Sequence, residues 1–224
     1  MTQQQRAVAK DTGEHGEKPA AYQHILYEVS EKIATITLNR PDRMNAWTPI
    51  MERDVRHAME AAAGDHGVRV IVLTGAGRAF CAGADMDALK GLDPDDVKRA
   101  QSLPPFDMNR RPDWQSRYGY YPSISKPVIG MLNGATAGIG LVNRLYPPDQ
   151  LREQTYAYAR DLADFVSPSA IAVIKRQLYD VPFQTLAEAT IDANREMVVA
   201  LRGSDFREGV ASFMEKRPPR FTGK

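Results

Sequence analysis

Apolar and polar residues alternate from Ile25 to Leu38, with one interruption. Ile25, Tyr27 and Val29 fall on one face of the first run, and Ala34, Ile36 and Leu38 on one face of the second. The polar pair Glu31-Lys32 separates them, so the pattern predicts a β-hairpin with a tight turn and one buried face. Pro41-Asp42-Arg43 ends the second strand. The period then lengthens. Ile50 or Met51, Val55, Met59 and Ala62 mark one face of a helix that Thr48 can cap, Pro49 can open and Gly64 can stop. Val68, Val70 and Val72 alternate with Arg69, Ile71 and Leu73, a strand largely buried on both faces, as parallel strands between helices are. The unit strand, strand, helix, strand closes at Thr74-Gly75-Ala76-Gly77.

A short stretch, Ala79-Phe80-Cys81, then runs into the small residues Ala82-Gly83-Ala84-Asp85 and a helical turn over Met86, Ala88 and Leu89. The proline-rich segment 91–122 has no clear period, although Gln115–Tyr121 can be helical. It suits either a pocket wall or an irregular surface excursion. Pro127–Leu132 is the next strand, followed by Asn133-Gly134-Ala135-Thr136-Ala137-Gly138-Ile139-Gly140. Helices are expected over Leu151–Phe165, Pro168–Leu178 and Thr185–Leu201, and Pro218-Pro219 is expected to end the ordered part. Two strands thus run through small residues into helix starts. The first amides of a helix lack partners within it, and small residues let a ligand approach them closely. Two such turns suggest a two-donor oxyanion hole, a pair of amides that stabilises developing negative charge.

Composition narrows the classes. A chain of 224 residues, 43% hydrophobic and 25% charged, suits one globular domain or a domain with an appendage. With 29 Lys and Arg against 28 Asp and Glu, nothing points to nucleic acid or a membrane surface. The single cysteine, Cys81, excludes an internal disulfide and is too few for a thiolate zinc site, so no metal is expected. It also fits a reducing cytosol. Residues 1–22 read as a disordered polar tail without a signal-peptide core, and the expected localisation is cytoplasmic. Gly75-Ala76-Gly77-Arg78-Ala79-Phe80 begins like a dinucleotide fingerprint but has Phe80 in place of the third glycine. No P-loop, nucleophile elbow or HExxH pattern occurs, and His15, His24, His57 and His66 are scattered. Cys81 is read as packing rather than as a nucleophile.

Asn39-Arg40-Pro41 with Asn45-Ala46, then Ala79–Asp85, then Lys126–Ile129 with Asn133-Gly134 and Gly138, resembles the crotonase (enoyl-CoA hydratase/isomerase) superfamily. Glu208–Pro219 resembles that family's C-terminal helix. The resemblance implies an α/β fold: a ββα spiral core over residues 23–146, incomplete here, and a C-terminal helical trimerisation or lid region over 147–224. It implies an acyl-CoA substrate, no other cofactor, and a homotrimer or dimer of trimers. By position, the backbone N–H groups of Ala84 and Ile139 would form the oxyanion hole. Ala82, Gly83, Asp85, Met86, Asp87 and Gly138 would line the acyl-CoA site, and Arg43, Met44 and Ala46 would approach the CoA nucleotide. Phe213 and Lys216 would close the pocket, with the lysine near CoA phosphates; the alternative is an amphipathic helix with a solvated charge.

The family's hydratases use two glutamates as acid and base. Val142 stands at the first position, and the second would lie in a block that has no counterpart here. The chain passes from Gly138-Ile139-Gly140 directly into Leu141–Pro148, which resembles a segment the family places much later. Either a deletion removed the block or the sequence omits a stretch that the protein contains. Three functions remain: an enoyl-CoA hydratase or isomerase, a non-catalytic acyl-CoA-binding or assembly subunit, and, more distantly, a dinucleotide-dependent oxidoreductase.

Overall fold

The hairpin forms because Glu31 and Lys32 both take left-handed backbone angles (φ 49° and 64°), which turn the chain without splaying its strands. Strand β1 (Ile25–Ser30) pairs antiparallel with β2 (Ile33–Leu38), in register from Ile25–Leu38 to Ser30–Ile33. Helix α1 (Pro49–Gly64) then carries the chain back to β3 (Val70–Gly75), which lies parallel to β2. The Thr48 hydroxyl caps α1 by accepting from the Met51 N–H at 3.1 Å. At the other end, the Lys126 ammonium donates to the carbonyls of Ala62 and Asp65. The computed structural model describes residues 22–87, 120–136 and 143–224.

Two further strands follow before the helical region. A short strand, β4 (Ala79–Cys81), leaves the first sheet; β5 (Val128–Met131) rejoins it parallel to β3, giving the order β1-β2-β3-β5. Strand β6 (Ala135–Thr136) pairs with β4 in a separate two-stranded sheet. Helices α2 (Leu151–Phe165), α3 (Pro168–Asp180), α4 (Leu186–Ala200) and α5 (Ser204–Glu215) complete the described chain.

The hairpin departs from its expected one-sided burial. Five of the six β2 residues are buried, with Thr37 partly so, because both faces of the sheet are covered. Ala34, Ile36 and Leu38 pack with Met51, Val55 and Met59 of α1. On the opposite face, Ile33, Val70, Val72 and Met131 pack with Ala159 and Ala163 of α2. Thr35 tolerates this burial because its hydroxyl hydrogen-bonds the Tyr156 hydroxyl.

The C-terminal helices fall close to their expected places, with α4 held by a capping box between Thr185 and Glu188. Burial there is sparse: neither α3 nor α4 has a buried residue. The expected end of order at Pro218-Pro219 is not found. Asp205 accepts from the N–H groups of Thr222 and Gly223, and Arg69 donates to the Phe221 carbonyl, so the chain beyond the prolines is tied to α5 and β3's approach. The polar tail up to residue 21, the part of the expected helical turn at Ala88 and Leu89, residues 91–119 of the proline-rich segment with most of the helix expected there, and 137–142 lie outside the described residues.

Candidate functional site

Four segments meet where β3 ends: the loop after β2, the 75–79 turn, the 82–87 turn and Asn133-Gly134. Asn45 sits at their centre, fully buried and with a left-handed backbone (φ 54°). Its side-chain oxygen accepts from the Arg40 N–H at 2.8 Å, and its amide donates to the carbonyls of Ala76 at 2.9 Å and Ala79 at 2.8 Å. Asn133 makes a parallel set of links, accepting from the Gly75 N–H at 3.1 Å and donating to the Gly77 carbonyl at 2.8 Å. Gly134 has no room for a side chain: a Cβ there would stand 2.0 Å from the Arg78 carbonyl oxygen.

The 82–87 turn is anchored on the loop from Arg40 to Trp47. The Ala82 N–H donates to the Met44 carbonyl at 3.0 Å. Gly83 takes φ +100°, a conformation that glycine adopts without strain. The Trp47 N–H then donates to the Gly83 carbonyl at 2.8 Å, and the Asp85 N–H to the Trp47 carbonyl at 2.9 Å. Both backbone groups of Trp47 are therefore bonded to the residues flanking Ala84, as in a parallel bridge. That geometry turns the Ala84 N–H away from Trp47. Ala84 is exposed, and among the described residues no backbone hydrogen bond uses its N–H. An outward, unpaired amide beside a small-residue turn can receive a carbonyl oxygen and hold negative charge developing on it.

Charge surrounds this amide unevenly. Buried Asp85 pairs with the Arg40 guanidinium at 2.8 Å, and its other carboxylate oxygen accepts from the Asp87 N–H at 2.9 Å. Arg40 also donates to the Ala46 carbonyl at 2.7 Å. Arg43 and Asp87 form an exposed ion pair at 3.4 Å on the rim, and Met44 contacts Arg78 there. His24 lies behind the loop with its Nδ1 2.8 Å from the Thr48 hydroxyl. Burial, then the Arg40 charge, push the His24 imidazole below its ordinary pKa, which favours the neutral ring.

The structure thus gathers Arg43, Met44, Ala46, Ala82, Gly83, Ala84, Asp85, Met86 and Asp87 around one turn. Gly138, Ile139 and Val142 lie outside the described residues. Phe213 is exposed on α5 and Lys216 forms its left-handed C-cap; among the described residues, no hydrogen bond or ion pair links either to the turn. Cys81 packs in the core with Ile36 and Met51. Sequence reading gave no site role to Arg40 or Trp47, and placed Asn45 only within the stretch Arg43–Ala46 expected near the nucleotide. Arg40 and Asn45 stood in the motif that carries the family resemblance, but the partners of all three are remote along the chain. Among the described residues no cluster of His, Cys, Asp and Glu could hold a metal, and no helix is long and apolar enough to cross a membrane.

This architecture is that of known proteins. The sequence profile described as enoyl-CoA hydratase/isomerase matches residues 28–141 and 136–224, and the chain belongs to that family. It is 28% identical to a Rhodobacter capsulatus protein described as "probable enoyl-CoA hydratase", over 91% of this chain and all of the relative. It is 24% identical to the 1,2-epoxyphenylacetyl-CoA isomerase of Escherichia coli K12, over 89% of this chain and 98% of that one. The crystal structure of an enoyl-CoA hydratase/isomerase from Mycobacterium paratuberculosis superposes with a TM-score of 0.72 at 25% identity, covering 91% of this chain and all of that one. The fold is accordingly the α/β crotonase fold. The two profile matches meet at 136–141, where the sequence reading located the missing block. The Rhodobacter alignment spans 276 positions against the 224 residues here, so the relative has internal residues that this chain lacks.

Proposed function

We propose that this chain is an acyl-CoA-processing enzyme of the enoyl-CoA hydratase/isomerase type, using the Ala84 N–H to stabilise a thioester enolate. The observation that carries this reading is the outward Ala84 amide, presented by the two Trp47 bonds and, among the described residues, left without a backbone partner. Deprotonation next to a thioester moves charge onto its carbonyl oxygen, and one fixed donor in such a site is worth about 2.7–4 kcal/mol. Ile139 would supply the second donor. Ala82, Gly83, Asp85, Met86, Asp87 and Gly138 would line the acyl group's path, with Arg43, Met44 and Ala46 toward the nucleotide. Phe213 and Lys216 would close over it from α5. The substrate is the CoA thioester itself, and no further cofactor is required. The bare apolar faces of α3 and α4 support assembly as a homotrimer or dimer of trimers, which sedimentation would test. A cytoplasmic setting fits the free thiol of Cys81.

A second reading is favoured by one specific feature. Val142 occupies the first-glutamate position, and the block expected to hold the other carboxylate has no counterpart, so the chain would bind acyl-CoA without turning it over. An apolar residue there also weakens hydration relative to isomerisation, in which one carboxylate can shuttle a proton between carbons. One experiment separates these readings. Protein of intact mass 24.9 kDa is mixed separately with crotonyl-CoA, whose conjugated-thioester absorbance falls on hydration, and with but-3-enoyl-CoA, whose absorbance rises on isomerisation, and butyryl-CoA binding is measured by calorimetry. Turnover supports the enzyme, whereas binding without turnover supports the subunit. Absence of both defeats the acyl-CoA reading.

A further inference from the structure

We propose that the Arg40–Asp85 ion pair is a positioning element that sets the direction of the Ala84 N–H; the proposal rests on the thioester reading above. Asp85 immediately follows the donor and is 7% exposed. One of its oxygens is held by Arg40 at 2.8 Å, while the other accepts the Asp87 N–H and starts the helical turn beyond the donor. The same Arg40 nitrogen donates to the Ala46 carbonyl, and the Arg40 backbone N–H donates to Asn45. One guanidinium therefore joins the loop carrying Trp47 to the turn carrying Ala84. These are the two segments whose register the Gly83–Trp47–Asp85 bonds require. If they slide, the Ala84 N–H rotates away from the open face.

Both side chains are enclosed, so Asp85 would border the acyl path through its backbone rather than its carboxylate. Their side-chain exposures are 19% for Arg40 and 8% for Asp85, so the pair acts through the backbone of Ala84. Arg40 and Asp85 are positioning residues in this account. Carboxylate and guanidinium are enclosed together, so removing either withdraws the charge that offsets the other's burial. A neutral side chain of the same shape would preserve the turn's packing and its bond to the Asp87 N–H, but lose the clamp.

The test is Asp85→Asn, read by amide hydrogen exchange and by acetoacetyl-CoA. The variant is expected to speed exchange at the Trp47 and Asp85 amides by about tenfold, with β2 and β3 unchanged. The enolate-to-keto ratio of bound acetoacetyl-CoA is expected to fall about tenfold. Arg40→Lys, which keeps the charge, should fall between wild type and Asp85→Asn, and it carries the same readings if Asp85→Asn does not fold. Unchanged exchange at Trp47 and Asp85 in a folded variant would overturn the proposal. So would an equal rise throughout β2 and β3, the mark of a merely structural pair. If wild-type protein leaves acetoacetyl-CoA as the ketone, the thioester reading fails on its own, and the exchange data still decide the role of the pair.

Discussion

Helix α1 on its sheet and the helices α3 and α4 all carry apolar residues, yet only α1 has somewhere to bury them. In α1, Met51, Val55, Ala58, Met59 and Ala62 are all fully buried against β1 and β2. In α4, Leu186 is 86% exposed, Ile191 65% and Val199 61%, and on α3 Leu178 is 69% exposed. The helices themselves are well specified, since Ser167 caps α3 and a capping box starts α4. What these apolar residues of α4 lack, among the described residues, is an opposing apolar surface. Local sequence is enough to form a helix, but cover comes from elsewhere.

The sharpest break of this comparison is a pair of truncations. Met59→Ala should cost about 2–5 kcal/mol in urea denaturation, whereas Ile191→Ala should stay within about 0.5 kcal/mol when the monomer is measured, at protein concentrations too low for assembly. Equal losses in the monomer would mean that α4 is covered within the chain and that the contrast is false. Gly134→Ala comes next, with an expected loss of about 1–3 kcal/mol from overpacking, because its Cβ would meet the Arg78 carbonyl. A neutral result there would remove the tight junction between β4 and β6 from the account.

Acid should loosen the C-terminal helices through Asp205. Burial raises its carboxyl pKa, but the Ser167 hydroxyl and the N–H groups of Thr222 and Gly223, with Ser169, hold it below the ordinary 3.8. A depressed carboxyl stabilises the fold fully above that value, and its contribution is lost as pH falls through the lower, folded-state pKa. Hydrogen exchange at the start of α5 should therefore rise at low pH, and Asp205→Asn should show that rise already at neutral pH. Equal acid sensitivity in the two proteins would contradict this. The smallest effect is at Lys175, whose burial lowers its pKa from 10.5 to about 8. The unfolded chain then holds the extra proton between these values, so stability should increase with pH from about 8 to 10.5. Lys175→Met should flatten that increase in denaturation curves; an unchanged slope would assign it to another group.

Much of the sheet region was legible because its signals are local. The hairpin turn, the Thr48 cap, the face of α1 and the small residues at 82–85 could each be read within a few positions. Burial on the second face of β2 could not, because it depends on Tyr156, Ala159 and Ala163 far along the chain. The order beyond Pro218-Pro219 was missed for the same reason: Asp205 holds Thr222 and Gly223 from another element. At the site, the resemblance pointed to the turn and to Ala84. It did not show why that amide faces outward, since the Trp47 bonds and the Arg40–Asp85 pair are tertiary. The second donor at Ile139 and the acid/base groups lie beyond what the described residues resolve into a site.

The central claim is that the Ala84 amide stabilises an enolate, and acetoacetyl-CoA tests it most directly because enolisation requires no water and no second carboxylate. Its enolate absorbance is compared in wild type and Ala84→Pro, which removes this N–H while leaving both Trp47 bonds available. Exchange at the Trp47 and Asp85 amides confirms that the turn remains. The account predicts an enolate band with wild type and an enolate-to-keto ratio about a hundredfold lower in the variant, equivalent to about 2.7 kcal/mol for one donor. An equally strong band in a folded Ala84→Pro protein would contradict it.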